Sequence, residues 1–137
     1  MKNFGQAEIE YTNAIRKNPN YVAAYFNRGI LYTDLINQFD KGIADFKKVL
    51  ELNPNNMDAT INIGICYYKM NRWKEALQQY TRAIQSFPVE GRIYYLRAIT
   101  CAQISDFRQA YQDGIKSKQL GFNISDRLLS EWKSKSK

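Results

Sequence analysis

The residues of this chain that could best do chemistry are two asparagines placed 35 positions apart in the same local sequence. Asn27 stands two residues before Gly29, and Asn62 stands two residues before Gly64. A carboxamide carries both a hydrogen-bond donor and an acceptor, so each asparagine can pair with the donor and acceptor of a peptide backbone. This is the chemistry of recognition rather than of catalysis.

Residues for catalysis are scarce. The chain has no histidine, which removes the commonest general base and the commonest metal ligand. It also has no CxxC motif and no glycine-rich phosphate loop, and its acidic residues show no spacing that indicates a catalytic pair. Cys66 and Cys101 fall inside predicted helices, where we expect free, buried thiols. We therefore predict no enzymatic activity, no cofactor and no metal site.

Composition indicates a folded domain with a basic surface. The 137 residues are 45% hydrophobic and 14% aromatic, which is enough for a core and argues against disorder. No apolar run approaches the roughly 18 residues of a membrane span, and no signal peptide is recognisable, so we expect a cytoplasmic location. The net charge of +7 permits an anionic partner, although the basic residues are scattered apart from a lysine-rich tail.

The elements that position the asparagines repeat along the chain. Pro19, Pro54 and Pro88 lie 35 and 34 residues apart. Between Thr60 and Pro88 a helical pattern of small and aromatic residues runs through Ile63-Gly64, Tyr67, Asn71, Trp73, Ala76, Tyr80 and Ala83. This spacing resembles the pattern of the tetratricopeptide repeat (TPR) family, whose period is 34 residues.

The resemblance implies an all-α fold, a right-handed helical-hairpin solenoid (the TPR superhelix), because single hairpins cannot bury their apolar face. The first full repeat carries one extra residue near 35–37, and Gly114 and Ser117 depart from the pattern in the third. The half repeat holds a second helix only, which leaves an apolar face uncovered, so we expect a fragment of a longer array. We predict one domain, 1–137, made of a half repeat 3–20, repeats 22–55 and 57–90, a degenerate repeat 91–124, a capping helix 125–134 and a basic tail 135–137.

In the family that the chain resembles, a concave groove is lined by the first helix of each repeat, on the side away from Gly29 and Gly64. Thr33 and Asp34 fall on the same face of the first repeat. Asparagine ladders hold extended peptides in some members, and Leu96 interrupts the ladder here. The predicted peptide-binding groove consists of Phe26, Asn27, Ile30, Ile61, Asn62, Ile65, Tyr68, Lys69, Arg92, Tyr95 and Ile99.

The resemblance therefore predicts a protein–protein interaction scaffold or adaptor that binds a peptide or a helix of a partner. One co-chaperone subgroup clamps the C-terminal carboxylate of Hsp70 and Hsp90 with lysine, arginine and asparagine. This chain lacks the full set, although Lys69 and Arg92 could hold one acidic group. The asparagines could instead bond only to neighbouring helices or water, and the last helix or a second copy could fill the groove.

Two other functions stay open. The unpaired N-terminal helix or the groove could drive self-association into a homo-oligomer. A basic helical-repeat module could bind RNA, although the apolar character of the predicted groove makes nucleic acid the weaker choice.

Overall fold

The computed structural model describes residues 3–137, and within that range it contains eight α-helices and no strand. Two compact units follow one another along the chain, Met1–Met70 and Asn71–Lys137. None of the helices between residues 3 and 137 is long and apolar enough to cross a bilayer. The first unit holds α1 (Phe4–Lys17), α2 (Val22–Ile30), a π-helical turn (Leu31–Leu35), α3 (Phe39–Leu52) and α4 (Met57–Lys69). The second holds α5 (Trp73–Ser86), α6 (Gly91–Gln103), α7 (Phe107–Gln119) and α8 (Asp126–Lys135).

Several helices begin at residues that the sequence marks as caps. The side-chain oxygen of Asn3 accepts the backbone N–H of Gln6 at the start of α1, at 2.8 Å. Asn56 does the same at α4 and Ser125 at α8. Each cap satisfies a backbone donor that the first turn of a helix leaves without an intrahelical partner.

The extra residue of the first repeat is taken up by the π-helical turn. Residues with positive φ recur every 34 residues, at Asn37, Asn71 and Ser105. Gly29 and Gly64, in contrast, are 35 residues apart. The insertion therefore lies between Gly29 and Asn37, where Leu31–Leu35 widens from α to π geometry. Such a turn accommodates one added residue without ending the helix.

The first unit is built on close contact between α2, the π-helical turn and α3. A Cβ on Gly29 would lie 2.8 Å from Cε1 of Phe46, so glycine lets the buried ring approach the helix backbone. A Cβ on Gly42 would collide with Oγ1 of Thr33. Thr33, predicted to lie on the groove face, is fully buried, because the π-helical turn shifts the residues after Gly29 around the helix axis.

Buried ion pairs link the first and second helices of the first and third repeats. Arg28 donates from Nε and Nη2 to both carboxylate oxygens of Asp45, at 2.8 and 2.7 Å. Arg97 binds Asp113 in the same way, at 2.7 and 2.8 Å. Each Nη1 also donates to a threonine of the preceding second helix. The second repeat has Ile63 in the place of the arginine, 2% exposed.

In the second unit, α8 explains why the third repeat departs from the family pattern. Leu129 and Trp132 of α8 are buried in the same core as Ala98 and Ala110. A Cβ on Gly114 would lie 2.6 Å from Cδ2 of Leu129 and 3.1 Å from Cζ3 of Trp132. Glycine replaces the usual aromatic residue there because the large side chains of α8 already fill that space.

Candidate functional site

The two asparagines lie on α2 and α4 of the first unit. Asn27 is exposed because α2 buries Ala24, Tyr25 and Gly29 on its other side. Asn62 is half-buried on α4. Both follow from the 35-residue repeat, which places the same helical face of each first helix at the surface.

The carboxamides of both asparagines keep hydrogen-bonding capacity. Nδ2 of Asn62 donates to the carbonyl oxygen of Asp58 on its own helix, at 2.8 Å. Among residues 3–137, the Asn62 carboxamide oxygen has no hydrogen-bond partner, and neither does the Asn27 carboxamide. Each can therefore accept one more hydrogen bond, and each can donate.

Half-buried apolar side chains stand beside the asparagines. Phe26 makes an edge-to-face contact with Phe46, with ring centroids 5.6 Å apart, and packs with Ile30 against the core of the first unit. Ile65 and Tyr68 are half-buried on α4. These side chains are anchored by the core on one side and keep apolar area on the other, as ligand-binding surfaces do.

Ile61 does not line a surface. It is 1% exposed, so the prediction that it contacts a ligand in the groove is wrong. Helix α4 is buried over a wide arc that includes Ala59, Thr60 and Ile63. At about 100° per residue, Ile61 falls at the edge of the narrow arc that remains exposed, and the core takes it.

The charge at the end of this face is already paired. Nζ of Lys69 lies 3.1 Å from Oδ1 of Asp34, with side chains 37% and 48% exposed. An ion pair this exposed contributes little to stability and is easily exchanged. An acidic ligand would therefore compete with Asp34 for the ammonium group. Sequence analysis placed Asp34 on this face but did not identify it as the partner of Lys69.

The remaining three predicted residues lie in the second unit. Arg92, Tyr95 and Ile99 are half-buried on α6. The Tyr95 ring packs against Phe122, with centroids 5.0 Å apart, so the segment before α8 covers part of this predicted surface. Sequence reasoning missed Phe122 because it lies in a connection that carries no helical periodicity.

Asn27 and Ile30 also line a cleft of about 280 Å³ in the first unit. We call this the N-terminal cleft. Most of its lining side chains are apolar, and half of them belong to α1 or its cap. The cleft is lined by Asn3, Phe4, Ala7, Tyr11, Asn27, Ile30, Leu31 and Leu35.

The two cysteines are free and buried, as predicted. Burial raises the pKa of the Cys66 thiol, and Thr33 lies 3.2 Å from its Sγ. Burial also raises the pKa of Cys101, to about 12, with nearby Asp113 acting in the same direction. A thiol with so high a pKa stays protonated and is a poor nucleophile.

Comparison with known proteins agrees with this architecture. Two sequence models described as tetratricopeptide repeat match residues 37–99 and 10–44. Human protein SGT1 homolog is 36% identical over 123 residues, covering 90% of this chain. Hsp70-Hsp90 organizing protein 1 of Glycine max is 30% identical over 88 residues, covering 64% of this chain. The structure of MamA from Desulfovibrio magneticus RS-1, residues 41 to the end, superposes with a TM-score of 0.76 at 21% identity, covering 86% of this chain and 66% of that chain.

The chain spans 32% of the length of the SGT1 homolog and 15% of the organizing protein. The two matching models together run from residue 10 to residue 99, and the MamA likeness shows the same fold. The chain therefore belongs to the tetratricopeptide repeat family and has the all-α helical-repeat solenoid fold of that family.

Proposed function

We propose that this chain is a protein-interaction module that holds a short segment of a partner protein on the first-helix face of its first unit. The observation that carries the proposal is a pair of carboxamides with open hydrogen-bonding capacity at equivalent places among half-exposed apolar side chains. We define the first-helix face as Phe26, Asn27, Ile30, Asn62, Ile65, Tyr68 and Lys69.

Each part of this face would contribute a different term to binding. Burial of apolar area on Phe26, Ile30 and Ile65 would supply affinity, at about 25 cal/mol per Å². Asn27 and Asn62 would bond the N–H and C=O groups of the ligand backbone, which fixes its register without demanding a particular side chain. No step of this mechanism breaks a covalent bond, so we propose binding without catalysis, in the cytoplasm.

The names of two relatives support an adaptor role. One is an Hsp70-Hsp90 organizing protein and another an SGT1 homolog, and we propose a similar, co-chaperone-like role for this chain. We do not propose a two-carboxylate clamp. If Asn27 is the clamp asparagine, the next first helix has Asp58 and Asn62 where lysine and arginine are needed. The ligand we propose is therefore an internal segment, with Lys69 free to exchange Asp34 for one acidic side chain.

A peptide-display selection tests the proposal. Peptides covering a proteome would be selected against the chain and against a variant carrying Asn27→Ala and Asn62→Ala. A matched control would carry Asn55→Ala and Asn123→Ala, which remove two exposed asparagines away from this face. Circular dichroism would first establish that all three proteins fold equally.

We expect a peptide class that the chain and the control enrich and the Asn27→Ala/Asn62→Ala variant loses. Enrichment that is equal for all three proteins would contradict a role for the carboxamides. Failure of the chain to enrich any peptide class would contradict the proposed function itself.

A further inference from the structure

Helix α1 is the least covered element of the first unit. It buries none of its 14 residues, whereas α3, its equivalent one repeat later, buries five of 14. The two helices align at a spacing of 35 residues, which pairs Ala7 with Gly42 and Tyr11 with Phe46. The sequences of the two helices match, so the difference comes from what packs against them.

Helix α2 and the π-helical turn cover α3. Gly29 lets the backbone of α2 come within contact of Phe46, which is 0% exposed. Four residues later, Thr33 fills the space beside Gly42 and lies 3.2 Å from Cys66 of α4. A helix with two compact residues four positions apart therefore seals the surface formed by α3 and α4.

The same surface on α1 and α2 is the N-terminal cleft, and it is open. Tyr11 takes the place of Phe46, Ala7 that of Gly42, and Leu31 that of Cys66. At the rim, Phe4 is 47% exposed and Leu35 is 52% exposed. Apolar exposure of this size, beside an internal copy of the same surface that is covered, indicates a binding surface for a helix.

We propose that the N-terminal cleft binds an amphipathic α-helix of a partner protein in the register that α2 takes on α3. The partner helix would place glycine or alanine against Tyr11. Four residues later it would need a residue smaller than threonine, because the Ala7 methyl group takes the space that Gly42 leaves to Thr33. Flanking apolar residues would cover Phe4 and Leu35.

A partner protein fits this surface better than a second copy does. The chain's own short amphipathic helix, α8, keeps Leu129 and Trp132 buried in the core of the second unit. It has no apolar stripe left for another molecule. The inference goes beyond the proposed function, since the cleft shares only Asn27 and Ile30 with the first-helix face.

The internal copy supplies the probe. A fluorescent synthetic peptide with the sequence Tyr21–Gln38 and the substitution Thr33→Ala would be titrated with the full chain, and its anisotropy followed. We expect saturable binding that weakens by at least about tenfold when the protein carries Phe4→Ala and Leu35→Ala. The matched control is Ile9→Ala, which removes an apolar side chain 55% exposed on α1 but outside the cleft. It should bind as the unchanged protein does.

Register is tested from the peptide side. Adding Gly29→Leu to the peptide places a large side chain against Tyr11 and should abolish binding. No binding up to about 1 mM protein would overturn the proposal. Equal binding by the Phe4→Ala/Leu35→Ala and Ile9→Ala proteins, or by both peptides, would overturn it as well.

Two further measurements separate the alternatives. Sedimentation of the chain alone should show a monomer, and a dimer that Phe4→Ala and Leu35→Ala dissociate would assign the cleft to a second copy instead. Asn62→Ala, which lies outside the cleft, should leave helix-peptide binding unchanged while it removes the ligand of the first-helix face. Either proposal can therefore fail without the other.

Discussion

At the scale of single residues, the buried ion pairs show how costly an unmatched charge would be. The side chains of Arg97 and Asp113 are only 19% and 4% exposed. We expect Asp113→Ala to lower the free energy of unfolding by about 3 kcal/mol, because it leaves the guanidinium without its partner. The double variant Arg97→Met/Asp113→Leu should lose less than either single variant, since Ile63 holds the equivalent place in the second repeat without a charge.

Urea unfolding of the four proteins gives the double-mutant cycle. The exposed pair Lys48–Glu51 serves as the control, and Lys48→Met should leave the urea midpoint unchanged. A double variant less stable than both single variants would show that the buried pair contributes net stability, contrary to this account.

The buried thiol of Cys101 predicts a loss of stability in alkali. Its pKa is about 12 in the folded chain, against 9.0 for an unperturbed thiol. Between these values the unfolded chain has released the proton and the folded chain still holds it. Stability is therefore complete below pH 9 and falls as the pH rises toward 12.

We expect the Cys101→Ala variant to escape this loss, so that on raising the pH from 7.5 to 10.5 it should lose about 2 kcal/mol less than the unchanged chain. Urea unfolding at the two pH values measures the difference. Tyr32, whose pKa burial also raises to about 12, is present in both proteins and cancels. Parallel pH profiles would show that the thiol titrates normally.

Sequence could predict the position of Asn27 and Asn62, because repetition and helical period alone decide which face they share. It could not predict that Ile61 is buried or that Asp34 pairs with Lys69. Both depend on a shift of a few tens of degrees around a helix, and the π-helical turn and the wide buried arc of α4 produce that shift.

At the scale of elements, α8 completes the core of the second unit. Trp132 is 3% exposed and fills the space over Gly114. We expect Trp132→Ala to lower the free energy of unfolding by about 3–5 kcal/mol, because it opens a large cavity at a position that no other side chain can reach. Thermal or urea unfolding would measure it. The neighbouring exposed substitution Glu131→Ala should leave the midpoint unchanged, and equal effects of both would argue against a structural role for the α8 stripe.

The elements show what repetition reveals and what it hides. The recurring prolines and small residues predict helices and their ends well, because each marks a turn or a close contact between backbones. The repeat length shows that the first repeat has an extra residue, but not that a π-helical turn absorbs it. The packing of Trp132 over Gly114 joins residues from different helices and has no local signal.

At the scale of the whole molecule, the net charge of +7 raises the alternative of RNA binding. Binding at the first-helix face should depend on apolar burial and carboxamide hydrogen bonds. We therefore expect the Kd of a selected peptide to change by less than about threefold between 50 and 200 mM salt, whereas a phosphate ligand would lose affinity steeply over that range. Fluorescence titrations with the peptide and with a single-stranded RNA measure both. Tighter, strongly salt-dependent binding of the RNA would favour the nucleic-acid function.

The central claim is that a partner segment binds the first-helix face, and the most direct measurement is amide chemical-shift mapping of the ¹⁵N-labelled chain with a selected peptide. The account predicts the largest shifts at Phe26–Ile30 and Asn62–Lys69, including the side-chain amides of Asn27 and Asn62. The convex residues of α5, such as Gln78 and Gln85, should not shift. Shifts confined to α5 or to the basic tail, with both asparagine side chains unmoved, would contradict it.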